Sequence, residues 1–447
     1  MPTGSSVRQP RVIVLCFDGT SNEYGSTNTN VVKFYALLNK CRPFDQIVYY
    51  QPGIGTFIDP GVVSPLLEWS AKIADLAMAW YLDAHVRAGY RFLMQNYRQG
   101  DKICLFGFSR GAYTARALAG FLFKIGLLPR DNEEQIPFAY RLYKRTDKVG
   151  LQLAAGYKQT FCTPVTIDFV GVWDTVASVG LLYGRNLPFT TNNEAIRVFR
   201  HALSLDERRA RFQPNMFHRE GPDEEPARKD PEGADIQRSR PKLATWKMTV
   251  RRLSEVERYR AAARRSDISS KSRTFASERS TLRKTEVGLL QSVEEVWFAG
   301  CHADVGGGTV ADGCRYSLAN ISLRWMVKQV VLSQCGILFD QAALRRADID
   351  ISSDTDGYDA AELWPADQDV VADRHDQLKV KKPWWILEIL PTKYAWQEAN
   401  GKWNAKWGQI REEEPHFHRS VRERMLVEEL HYRPRARWNV GKERYVD

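Results

Sequence analysis

The sequence predicts an α/β fold, a mostly parallel sheet with helices on both faces. Three observations carry this. Apolar runs of five to eight residues recur that suit strands buried on both faces of a sheet. Segments of helical period alternate with them. One stretch, residues 102–112, reads as a strand, a tight turn with two glycines, and a helix start.

The first run is 11–17 (RVIVLCF), ending in the polar loop Asp18-Gly19-Thr20-Ser21-Asn22. Asn28-Thr29-Asn30 offers N-caps for a helix over 31–38. A second strand over 46–50 closes in Pro52-Gly53-Ile54-Gly55, and helical spacing then runs from about 66 to 96. The third strand opens at Lys102 and leads through Gly107-Phe108-Ser109-Arg110-Gly111 into an Ala-rich helix over 110–123. A fourth strand covers 165–172, a fifth 293–299, and a helix over 318–332 follows it.

The alternation breaks at 219–285, which holds 18 Lys/Arg against 11 Asp/Glu and few apolar residues. This basic insert accounts for most of the chain's formal net charge of +10. It reads as disordered or as a mobile helical arm. It suits peripheral contact with an anionic membrane surface, and no specific nucleic acid is expected. The expected layout is a disordered tail over 1–10, one large domain over 11–335 interrupted by the insert, and a covering region over 336–447. That last region is rich in tryptophan: Trp364, Trp384, Trp385, Trp396, Trp403, Trp407 and Trp438.

The seven cysteines are scattered, odd in number and without CxxC spacing, which argues against a disulfide framework or a zinc site. The first residues lack the apolar core of a secretory signal, and no run of about 20 apolar residues marks a membrane span. A cytoplasmic protein, at most peripheral to membranes, is the expectation.

Gly107-x-Ser109-x-Gly111 between an apolar strand and a helix is the pattern of a nucleophile elbow in an α/β-hydrolase. Close passage of strand and helix would exclude side chains at Gly107 and Gly111. A serine hydroxyl needs a base, and the base needs a carboxylate to fix its tautomer. Such groups sit just past later strands in chain order Ser, Asp, His. Asp174 directly follows the fourth strand; Asp168, inside it, is the weaker choice. His302 directly follows the fifth, in a loop rich in glycine, with Asp304 as loop support or reserve acid. The oxyanion hole is expected from the backbone amide of Arg110 and that of Gly19 or Thr20, with Asp18 supporting the loop. Phe17-Asp18-Gly19-Thr20 also looks like part of the haloacid-dehalogenase motif, but the nucleophilic aspartate of that motif is replaced by Cys16.

Four segments together, Phe17–Thr20, Gly107–Ala112, Gly171–Val176 and Phe298–Gly307, resemble a largely uncharacterised α/β-hydrolase family. It includes the catalytic domain of the Tle-type phospholipase effectors of the bacterial type VI secretion system. The likeness covers roughly residues 10–330, and 415–424 is similar to a C-terminal segment of the family. It implies a Ser109–Asp174–His302 triad and, for the effector branch, hydrolysis of phospholipid acyl esters without a metal or organic cofactor. The effectors' additional membrane-anchoring module has no counterpart in these segments, so the chain looks like a stand-alone, fungal-like eukaryotic member. The expected function is a serine hydrolase cleaving acyl esters of lipid or phospholipid through an acyl-enzyme. The alternatives are a thioesterase or peptidase on the same fold, or a catalytically degenerate scaffold at an anionic surface.

Overall fold

Strand β1 (Val12–Phe17) is buried at every residue. Its side chains alternate between two cores: Ile13, Leu15 and Phe17 enter one, while Val12, Val14 and Cys16 enter the other. A strand covered on both faces needs apolar residues at every position, which is why its sequence shows no alternation. The computed structural model describes residues 10–20, 22, 24–53, 67–176, 187–209, 212, 214–217, 291–351, 367–376, 393–397, 403–407, 414–436 and 438–447. The basic insert, Trp364, Trp384 and Trp385 therefore lie outside the described residues.

The main sheet has eight strands, all parallel, in the order β10-β9-β6-β5-β4-β3-β1-β2. These are β1, β2 (Gln46–Gln51), β3 (Lys102–Phe108), β4 (Ile167–Trp173), β5 (Ile196–Ser204), β6 (Ser292–Phe298), β9 (His416–His418) and β10 (Arg444–Val446). A separate antiparallel pair, β7 (Lys393–Gln397) with β8 (Trp403–Trp407), carries Trp396, Trp403 and Trp407.

Helices lie on both faces. On one side α2 (Leu67–Asn96), α3 (Arg110–Ile125), α4 (Ile136–Lys144) and α5 (Lys148–Phe161) build a core with β1, β3 and β4. The alanines of α3 let it press close to the sheet, and its residues from Gly111 to Ile125 are buried except Phe123. On the other side α1 (Asn30–Leu37), α7 (Leu318–Leu332) and α8 (Gln341–Arg346) pack on Cys104, Phe106 and Phe169. Thr29 is the N-cap of α1, its hydroxyl accepting from the amide of Val32. A short helix, α6 (His302–Gly306), precedes α7; α9 (Asp367–Val370) and α10 (Arg419–Leu426) come late in the chain.

Two departures from the sequence reading matter. The sheet contains β5, which the sequence reading leaves out, between the strands expected as fourth and fifth. The region expected only to cover the main domain supplies β9 and the edge strand β10 to the sheet itself. Among the described residues, no helix is long and apolar enough to cross a membrane.

Candidate active site

Strand order reverses at β1, which has β2 on one side and β3 on the other. In parallel sheets ligands bind past the carboxyl ends of strands at such a point. The loops after β1, β3, β4 and β6 carry Asp18–Thr20, Ser109, Asp174 and His302, so these residues all lie at the carboxyl end of the sheet.

Ser109 joins β3 to α3 with φ 57° and ψ −122°, a conformation that L side chains rarely adopt. Its amide donates to the carbonyl of Trp173 at 3.0 Å, which ties the turn to the end of β4. The glycines permit the close passage. A Cβ on Gly107 would stand 2.5 Å from the Gly111 carbonyl oxygen, and one on Gly111 would stand 2.2 Å from that of Phe17.

Asp174 is 1% exposed and also has positive φ, 38°. Three donors converge on its carboxylate: the Ser204 amide at 3.0 Å, the Ser204 hydroxyl at 2.7 Å and His302 Nδ1 at 2.5 Å. With its proton on Nδ1, the imidazole keeps Nε2 as an acceptor. The ring of His302 packs on Phe108, the neighbour of Ser109, at 4.6 Å and meets the edge of Phe212 at 4.8 Å. Gly306, at the end of α6, lets this happen, since a Cβ there would overlap the Phe108 ring at 1.9 Å. The structure thus brings His302 to Asp174 directly and sets the imidazole against the residue preceding Ser109.

Asp18 is buried, and its carboxylate accepts from the amide of Gly19 at 2.7 Å and from the hydroxyls of Thr29 and Tyr50, each at 2.8 Å. Burial pushes its carboxyl above the usual range, and these bonds work against that shift. Thr29 also bridges to Gly307, so Asp18 couples the loop after β1 to the end of α6. The expectation for Gly19 is corrected here. Its amide is engaged by Asp18, which leaves the amide of Thr20 as the loop's candidate donor. Arg110 opens α3, where helix amides face the site. Burial lowers its guanidinium to about 10.

The imidazole of His302 bonds to Asp174 rather than to Asp304. Asp304 accepts from the amide of Cys301 at 2.8 Å and from Nδ1 of His375 at 2.8 Å, and this second hydrogen bond, aided by its charge and opposed by burial, raises the pKa of His375. It supports the loop, and the reserve-acid reading fails because its carboxylate faces His375. Asp168 accepts from the amide of Ile103 at 3.3 Å and lies near Arg197, within the sheet rather than past its end.

Sequence reasoning missed His201. Fully buried on β5, it accepts from the amide of Thr175 at Nε2 (3.0 Å) and faces Glu295 through Nδ1 (2.8 Å). These partners fix one neutral tautomer, with the proton on Nδ1, and hold the segment bearing Asp174. Burial, then the charge of Arg116, push its pKa well below the ordinary value, while the charge of Asp174 opposes the shift. The unfolded chain therefore binds a proton below about pH 6.5 that the folded chain refuses. Stability present above that pH is lost on acidification, with a slope approaching about 1.4 kcal/mol per pH unit. Urea titrations at pH 7 and pH 5 are expected to give a flatter dependence for His201→Gln than for the wild type. Parallel dependences would contradict this assignment.

The sheet order, the strand-end loops and the buried Asp–His pair define an α/β-hydrolase-like domain. More particularly, the chain belongs to the family of Tle1-like phospholipase effector catalytic domains of the type VI secretion system, whose model matches residues 11–329. It is also similar to the uncharacterized protein YEL023C of Saccharomyces cerevisiae, 30% identical over 437 residues. That match takes in 83% of this chain but 62% of the yeast protein, so the chain spans less than two thirds of that relative. Among solved structures, an uncharacterized protein from Pseudomonas aeruginosa aligns at 16% identity and a TM-score of 0.37, covering 76% of this chain and 49% of its own. The Tle1 effector bound to the VgrG spike aligns at 19% identity and a TM-score of 0.26, covering 46% and 47%. These overlaps are partial, and the architecture rests on the sheet itself.

Proposed function

We propose that the protein is a serine hydrolase that cleaves acyl esters of phospholipid through an acyl-enzyme on Ser109. The observation that carries this is the 2.5 Å contact between His302 Nδ1 and the buried Asp174 carboxylate, beside a serine in a strained strand-to-helix turn. Family membership supplies the substrate class.

Ser109 Oγ attacks the ester carbonyl while His302 Nε2 takes its proton. The imidazolium is stabilised by Asp174, and the oxyanion receives the amides of Arg110 and Thr20. Collapse breaks the acyl–oxygen bond, and His302 returns the proton to the departing alcohol. Water, deprotonated by the same imidazole, then releases the fatty acid and restores Ser109. The sequence of steps calls for no metal or organic cofactor. Identity to the yeast protein supports the reading as a fungal-like member. The excess of positive charge over 219–285 supports peripheral contact with anionic bilayers.

The experiment is lipid profiling of mixed phospholipid vesicles after incubation with the wild type and with Ser109→Ala. Free fatty acid and lysophospholipid are expected with the wild type alone. Release of an alcohol headgroup instead, or equal products from both proteins, would overturn the reading. Turnover of thioesters or peptides with none of phospholipid would move the enzyme to another substrate class.

A further inference from the structure

Three consecutive amides lead into His302, and each donates to a different buried carboxylate. Gly300 donates to Asp206 Oδ2 at 2.8 Å, Cys301 to Asp304 Oδ2 at 2.8 Å, and His302 to Glu207 Oε2 at 3.2 Å. Glu207 is neutralised locally by Arg209 at 2.8 Å. Asp206 and Asp304 are 1% and 2% exposed, and their partners come from far along the chain. Asp206 accepts from the Tyr432 hydroxyl at 2.8 Å and the Arg435 amide at 3.2 Å, and pairs with Arg374 at 3.2 Å. Asp304 accepts from the amide of His375 at 3.0 Å and from its Nδ1 at 2.8 Å.

A buried carboxylate that loses its partner is strongly destabilising, so removing these groups would release or distort the loop they clamp. All four partner residues lie beyond 11–329, the part of the chain that the family model matches. From this we infer that the segments around Arg374–His375 and Tyr432–Arg435 are a positioning element for His302. His375 acts through Asp304, and Tyr432 acts through Asp206. The inference rests on the serine-hydrolase reading.

The geometry explains why positioning, beyond stability, is at stake. His302 is the first residue of α6, so a tilt of Gly300 and Cys301 swings its imidazole. Asp174 is fixed independently by Ser204 on β5. A loosened loop therefore stretches the Asp174–His302 bond and moves Nε2 away from Ser109. Misplacement by about 1 Å is enough to lower a rate by roughly 100-fold.

The test uses the full chain with His375→Ala, His375→Gln and Tyr432→Phe. Steady-state turnover of a soluble ester is measured alongside the low-field proton resonance of His302 Nδ1–H, assigned by its absence from His302→Gln. His375→Ala is expected to lower kcat roughly 10-fold with KM changed by less than about 2-fold. The resonance should broaden or vanish. His375→Gln, whose amide can still donate to Asp304, should recover most of both. Tyr432→Phe should shift both in the direction of His375→Ala. A folded His375→Ala protein with full kcat and an unchanged resonance would overturn the inference. If His375→Ala does not fold, Tyr432→Phe decides by the same two readings. Failure of the hydrolase reading looks different: Ser109→Ala would keep wild-type turnover, while the resonance still reports whether His375 positions His302.

Discussion

Replacing Ser109 by glycine is expected to abolish turnover and raise the melting temperature together. The residue sits at φ 57° and ψ −122°, and holding a non-glycine residue in such a region costs about 1–3 kcal/mol. Glycine adopts that conformation without the steric penalty, although its looser unfolded chain takes back roughly 0.5–1 kcal/mol. A net gain of about 1 kcal/mol corresponds to roughly 1 °C in a chain of this size. Ser109→Ala keeps the strain and should melt close to the wild type. Both variants should lose at least about 10⁴-fold in kcat, because nothing else on the loop replaces the hydroxyl. Thermal melts and ester turnover read the two effects separately. A glycine variant that melts below the alanine variant would contradict stored strain at this turn; alanine turnover near wild type would contradict the nucleophile.

The second large effect is expected from Asp174→Asn. Asparagine tolerates the positive φ at this position, so the backbone should be preserved. Its amide cannot accept from Ser204 and His302 as the carboxylate does, and it leaves the emerging imidazolium without a counter-charge. The imidazole is then free to take the tautomer with its proton on Nε2, which cannot accept from Ser109. A loss of roughly 10⁴-fold in kcat follows, with KM little changed. Activity within about 10-fold of the wild type would mean that another carboxylate serves His302. Asp304 cannot do so as arranged, because it is bound to His375.

The legible part of this site lay at strand ends. β1, β3, β4 and β6 read as strands; Ser109 and Asp174 each follow one directly, and His302 follows β6 after Ala299, Gly300 and Cys301. Gly107 and Gly111 were readable because steric exclusion leaves a mark on composition. β5 was not legible, since Arg197, Arg200 and His201 interrupt its apolar pattern. Yet those residues are what the strand needs. Arg200 reaches Gln329 at 2.6 Å, and His201 holds Thr175. Pairings such as His201 with Glu295, or Asp206 with Tyr432, join residues 94 and 226 positions apart. No local spacing signals them. The C-terminal strands escaped for a related reason: β9 is three residues long, too short to carry a period. The engaged amide of Gly19 was equally invisible, because it depends on where Thr29 and Tyr50 hold the carboxylate of Asp18.

The most direct test of the account is covalent. The wild type, Asp174→Asn and His302→Ala are treated with a fluorophosphonate, and the adduct is located by peptide mass spectrometry. A single adduct on Ser109, formed far more slowly in both variants, is the predicted result. No adduct on Ser109 in the wild type, or labelling there at the same rate without His302, would contradict it.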